Sequence, residues 1–179
     1  MPTEAQLARI NTVSDVGKVA NATALLKEQL REVQGRQVQA LCCNLFNSAN
    51  IAIASGGWTA LQFNTETYDQ YGMHSTVTNT SRITCVVPGK YVVDAGAEWA
   101  SSVAHASGAG IRFLLNGATV IKRFEFYSCD IRVMTISGLV HFTAADEYLE
   151  VQVIQNTGAP VNILTSSLSS PVFGVHKYG

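Results

Sequence analysis

Four histidines, thirteen carboxylates and four cysteines are the side chains of this sequence best equipped for chemistry. His74, His105, His141 and His176 are scattered. No two have the i,i+2 strand spacing or i,i+4 helix spacing that aims a pair of imidazoles at one metal ion. They read as surface or interface histidines. Cys42, Cys43, Cys85 and Cys129 lack ligand or redox spacing and read as free thiols. Glu66 and Asp69 share a loop and have the oxygen chemistry of a calcium site, although carboxylates there more often cap turns. Asp146, Glu147 and Glu150 cluster, which raises an acid–base pair. Glu150 lies one strand-face repeat from Tyr148, so a solvated edge is the plainer reading. Lys122-Arg123 with Phe124 and Phe126 has the residue types of a nucleic-acid stripe, but it spans one strand in a chain of net charge −1. Trp58, Tyr68 and Tyr71 could stack on a sugar, but core packing is the plainer reading. There is no nucleophile elbow, no supported Ser/His/Asp set and no phosphate-cradling glycine loop. The sequence therefore predicts no enzyme, no cofactor, no bound metal and no nucleic-acid partner.

The elements behind these residues fall into two parts. Residues 1–45 read as a helical arm: Leu26, Leu30, Val33, Gln37 and Ala40 follow the 4-3-4-3 rhythm of a coiled-coil seam. Glu28–Arg31 and Glu32–Arg36 are favourably spaced charge pairs beside it. The seam is short and is weakened by Gln37 and Gly35, so it extends an oligomer rather than holding one alone. Residues 46–57, rich in Asn, Ser, Ala and Gly, read as a linker or first short strand. From Trp58 to Gly179 the period is two. Tyr91, Val93, Ala95, Ala97 and Trp99 share one face, as do Ile111, Phe113 and Leu115, then Met134, Ile136, Val140 and Phe142, then Leu149, Val151 and Val153. Asn116-Gly117 is the strongest hairpin signal, because both residues tolerate positive φ. Eight or more short strands with turn chemistry between them predict an all-β antiparallel sandwich.

Composition adds a constraint. Charged residues make up 14% of the chain and hydrophobic residues 47%, against about 25% charged in an ordinary soluble domain. Strands with apolar residues on both faces and few charges to wet them predict that another subunit covers part of the surface. No run approaches the ~18 apolar residues of a membrane span, and no apolar leader core opens the sequence. The expectation is a protein made in a reducing cytoplasm, with no membrane partner.

Five features in order resemble the trimeric jelly roll shared by complement globular heads and tumour necrosis factor. They are Trp58 and Phe63-Asn64 followed by Tyr68-Asp69; Pro88-Gly89-Lys90-Tyr91 launching a strand; Asn116-Gly117; Asp146 before the strand through Val153; and Ser170-Pro171-Val172-Phe173-Gly174 near the C-terminus. The segment FNTETYDQYGMHSTVTNTSRITCVVPGKY is most similar to versions of this module in bacteriophage virion proteins. The sequence departs from the family's usual Gly-Asp before the late strand, with Ala145-Asp146-Glu147 there. The resemblance implies a homotrimer, with Tyr127, Leu139 and Tyr148 as candidates for the threefold surface. It also implies a virion part: a capsid decoration (cement) protein or head fibre whose N-terminal arm docks on the major capsid protein or another virion protein. The alternative is a receptor-binding tail-fibre tip recognising a host glycan or surface protein.

Overall fold

Alternation between buried and exposed positions sets the two longest strands. In β6 (Gly89–Glu98), Tyr91, Val93, Ala95 and Ala97 are buried while Lys90, Val92 and Asp94 are exposed. In β9 (Val133–Phe142), Met134, Ile136, Val140 and Phe142 are buried, while Val133, Thr135, Ser137, Leu139 and His141 are exposed. A side-chain period of two commits each strand to a register, because a slip of one residue would turn its whole apolar set to water.

The computed structural model describes residues 19–31, 41–101, 108–127, 132–165 and 171–178. It divides the chain into two compact units, Met1–Val38 and Gln39–Gly179. In the first unit, residues 19–31 form a helix, α1, and Thr23 Oγ1 donates to the Val19 carbonyl one turn back at 2.8 Å. Val19, Leu25, Leu26 and Leu30 on α1 are all more than half exposed. Of the expected seam, Leu26 and Leu30 lie on α1, whereas Val33 and Ala40 lie outside the described residues. No helix among the described residues is long and apolar enough to cross a membrane.

The second unit is an antiparallel jelly-roll sandwich, the fold expected. One sheet runs β4 (Thr65–Asp69), β1 (Cys42–Phe46), β12 (Val172–Tyr178), β6, β9. The other runs β3 (Thr59–Ala60), β10 (Tyr148–Gln155), β7 (Ala109–Leu115), β8 (Thr119–Phe126), with β5 (Arg82–Thr84) also paired to β10. β2 (Ile51–Ile53) and β11 (Val161–Ile163) form a small third ladder. The strands thus begin earlier than the arm of 1–45 and linker of 46–57 read from the sequence. Leu41, Cys43 and Leu45 are buried between Cys42, Asn44 and Phe46, so period two already holds there. The heptad rhythm running up to Ala40 hides it.

The core lies between the two large sheets. Phe173 centres it, with ring centroids 5.7 Å from Phe63 and 6.2 Å from Phe113, and Tyr91 meets Phe142 edge-on at 5.2 Å. Each such pair adds ~0.5–1.5 kcal/mol to the burial itself. The Tyr91 hydroxyl donates to the Val87 carbonyl at 2.6 Å, and burial pushes its pKa up to about 12. Cys42, Cys43 and Cys85 are free thiols, and Cys129 lies outside the described residues. The β7–β8 hairpin turns at Asn116 and Gly117, with φ of 52° and 68°, closed by the Ala118 N–H on the Leu115 carbonyl at 3.1 Å. This is the type I′ geometry that favours Asn-Gly.

Candidate association face

The two outward sheet faces are chemically unlike. On the β10 sheet, polar groups close on one another. Glu150 accepts from Ser81 Oγ at 2.8 Å and from Arg82 Nε at 3.2 Å. The Arg82 guanidinium lies 3.9 Å from the Tyr148 ring centre. Arg112 gives two bonds to Gln152 Oε1, at 2.9 and 2.6 Å, and covers the Trp58 ring at 4.3 Å. These polar groups are paired within the face.

The outward face of the β6 sheet is mixed, with exposed apolar residues among polar ones. Its outward residues include Val92, Val133, Leu139 and Tyr178, the last two 68% and 69% exposed. Register sets Cys42, His176, Val92 and Leu139 side by side across four strands. β9 ends this sheet, and its ten residues carry no Asp, Glu, Lys or Arg. Native proteins usually guard such an edge with charge, Pro or a bulge, because its unpaired backbone invites another chain. The nearest guard is Lys122 on β8, whose Nζ donates to the Ser137 carbonyl at 2.7 Å. Beside this edge Val120, Phe124 and Tyr127 are also exposed.

The expected surface residues separate accordingly. Leu139 faces out from β9, and Tyr127 lies just past β8 with its hydroxyl on Glu125 at 2.8 Å. Tyr148 is on β10, in the other sheet, under Arg82. The structure brings Leu139 together with Val92 instead. Both sit at off-phase positions of alternating strands, and an apolar residue at the polar phase is the sequence signal that marks them.

The remaining chemical candidates have structural tasks. Asp69 accepts backbone N–H bonds from Met73 at 3.0 Å and His74 at 2.9 Å, so its carboxylate caps the loop after β4. The His74 ring is fully buried, with Nδ1 3.0 Å from Glu66 Oε1 and Nε2 3.2 Å from the Thr80 carbonyl oxygen. Sequence reasoning missed this lock, because an isolated His carries no spacing signal. Glu147 accepts from the Thr143 and Ala144 backbone N–H groups, which hold its carboxyl below the usual range. Lys122 and Arg123, as successive residues of β8, point to opposite faces and form no single basic stripe. His141 and His176 are exposed on the β6 sheet, and His105 lies outside the described residues. Among the described residues no three His, Cys, Asp or Glu side chains converge as a metal site would require.

Comparison with solved structures agrees with this architecture. Murine APRIL superposes with a TM-score of 0.57 at 10% identity, over 76% of this chain and 98% of that one. Eiger TNF from S. frugiperda superposes with a TM-score of 0.55 at 12% identity, over 78% of this chain and 92% of that one. At these identities the fold is what is shared: an all-β, tumour-necrosis-factor-like jelly roll, here with a helix-containing N-terminal arm. No protein-family model and no curated protein sequence matches the chain.

Proposed function

We propose that this protein is a non-enzymatic structural part that self-assembles as a homotrimer through the outward face of its β6 sheet and the adjoining β8–β9 edge. The observation that carries this reading is the contrast between the two faces. One sheet pairs Glu150 with Ser81 and Arg82 and Arg112 with Gln152, while the other exposes Val92, Val133, Leu139 and Tyr178 beside an uncharged ten-residue edge. Self-association would bury that apolar surface and cover the edge at once. The jelly-roll fold is compatible with such a ring.

Within that reading the chain is a bacteriophage virion protein, a capsid decoration protein or head fibre. The support for this finer statement is the sequence resemblance of residues 63–91 and the few charges available to wet a free surface. The N-terminal arm, with Leu26 and Leu30 exposed on α1, acts as a short trimeric stalk or a peg that docks on the major capsid protein or another virion protein. Purified particles of the source virus should contain the chain by mass spectrometry, and absence from them would refute the virion role. The full chain should also co-sediment with particles while residues 39–179 alone do not. Equal binding by the shorter chain would refute the docking role of the arm.

The receptor-binding alternative draws on one observation: Tyr68, Tyr71 and Val77 are exposed on or beside the loop that His74 and Asp69 brace. Host adsorption by residues 39–179 alone would favour it over the decoration role.

A further inference from the structure

Asp94 is the least explained charge on the β6 face. Register places a polar row, Asn44, Gly174, Asp94 and Ser137, across four strands between two less polar ones. Gly174 makes room for it: a Cβ there would stand 3.1 Å from both Asn44 Nδ2 and Asp94 Oδ1. Asp94 opens onto a shallow recess of about 410 Å³ that is also lined by Gly96, Thr135, Ser137, Lys122 and Phe124. Lys122 is the cation of that recess, but its ammonium is turned to the Ser137 carbonyl at 2.7 Å and lies 5.2 Å from the Phe124 ring centre. Among the described residues no salt bridge or hydrogen bond reaches the Asp94 carboxylate. Partial burial raises its pKa above the usual carboxylate range, and His176 opposes that rise.

If the β6 face is covered by another copy, this carboxylate loses its remaining water. An ionised carboxylate buried without a partner is strongly destabilising, so the covering surface must supply a cation or the group must stay protonated. The β8–β9 edge of a second copy carries two exposed guanidinium groups. Arg123 stands 3.7 Å from Glu125, and Arg132 stands 3.3 Å from Glu98. Both arginine side chains are more than half exposed. A guanidinium entering the recess would meet the carboxylate, the Thr135 and Ser137 hydroxyls and the Phe124 ring, all of which suit it.

We propose that the Asp94 recess receives an arginine side chain from the β8–β9 edge of a neighbouring copy, and that this contact fixes the register of the assembly. The inference rests on the self-association reading above. A face on one copy meeting an edge on the next is a heterologous contact, which closes into a ring when the rotation allows.

The test is the solution mass of the full chain and its variants against concentration. Asp94→Asn should weaken association about a hundredfold or more, the loss expected when one partner of a covered ion pair is removed. Asp94→Arg should give monomers of native circular dichroism. One of the double variants Asp94→Arg/Arg123→Asp or Asp94→Arg/Arg132→Asp should restore the assembly. Acid gives a second readout. The titratable groups facing Asp94 from the neighbouring strands are His176 on β12 and Tyr68 on β4, with Cys42 on β1 and Lys122 on β8 beyond them. Pairing would lower the Asp94 pKa in the assembly below its value in the free subunit. Assembly is therefore strongest above the free-subunit value and weakens as pH falls through it. Asp94→Asn should lose that component. An assembled Asp94→Arg would overturn the proposal while leaving the association reading intact. So would Asp94→Asn associating as tightly as the wild type, or failure of both swaps. A wild-type monomer would instead overturn the association reading itself.

Discussion

Leu139→Ser tests the association face at its most exposed aliphatic residue. Leu139 is 68% exposed and stands beside Val92 in the cross-strand register. Full burial of a leucine side chain contributes ~1.5–3 kcal/mol. About two-thirds of that, ~1–2 kcal/mol, remains to be gained when a partner covers it. Three symmetry-related sites would sum to ~3–6 kcal/mol, which is about a hundred- to ten-thousandfold in the trimer association constant. Serine adds no charge, and the position contributes nothing to the core, so the subunit should keep its circular dichroism. Sedimentation equilibrium over a dilution series should show Leu139→Ser dissociating at concentrations where the wild type stays assembled. Val77→Ser, at the 84% exposed loop position, should leave the mass unchanged. A folded Leu139→Ser protein with wild-type association would refute the assignment of this face.

Four further outcomes follow from the core and the turns. Phe173→Ala removes the ring shared by Phe63 and Phe113 and should cost ~3–5 kcal/mol in urea unfolding at matched concentration. Gly117→Val puts a β-branched residue at φ 68° with its Cβ 2.8 Å from the Tyr148 hydroxyl, and should cost ~1–3 kcal/mol in the same assay. His74→Ala leaves Glu66 and the Thr80 carbonyl without their buried partner and should weaken protection of loop amides 70–81 in hydrogen exchange by ~1–3 kcal/mol. Burial raises the thiol pKa of Cys43 and Cys85, so peptide mapping after brief alkylation at pH 8 should find Cys42 modified well before either.

Strand phase was readable because a half-buried strand must alternate. Tyr91 through Trp99 and Leu149 through Val153 both show that alternation, and Asn116-Gly117 names its own turn by tolerating positive φ. β1 was harder. Leu41, Cys43 and Leu45 follow directly on a heptad-like run, and a period of 3.5 masks the onset of a period of two. The candidate face was legible as a shortage of charge and as apolar residues on both strand faces, with Leu139 among its candidates. Which apolar residues remain outside depends on which strands become neighbours: Val92 and Leu139 meet only because β6 pairs with β9. Tyr148, a candidate that the resemblance implied, lies on the other sheet, where Arg82 covers it. His74 and Asp94 were invisible as special residues for a related reason. The partners of His74 lie six and eight residues away, and the recess at Asp94 requires Gly174, eighty positions along the chain, to leave space.

The measurement that tests the account most directly is the solution mass of the purified chain by light scattering across a dilution series. A homotrimer has three times 19.2 kDa, holding to low concentration. A stable mass of 19.2 kDa would contradict it, leaving the exposed Val92–Leu139 face and the uncharged β9 edge without the partner they require.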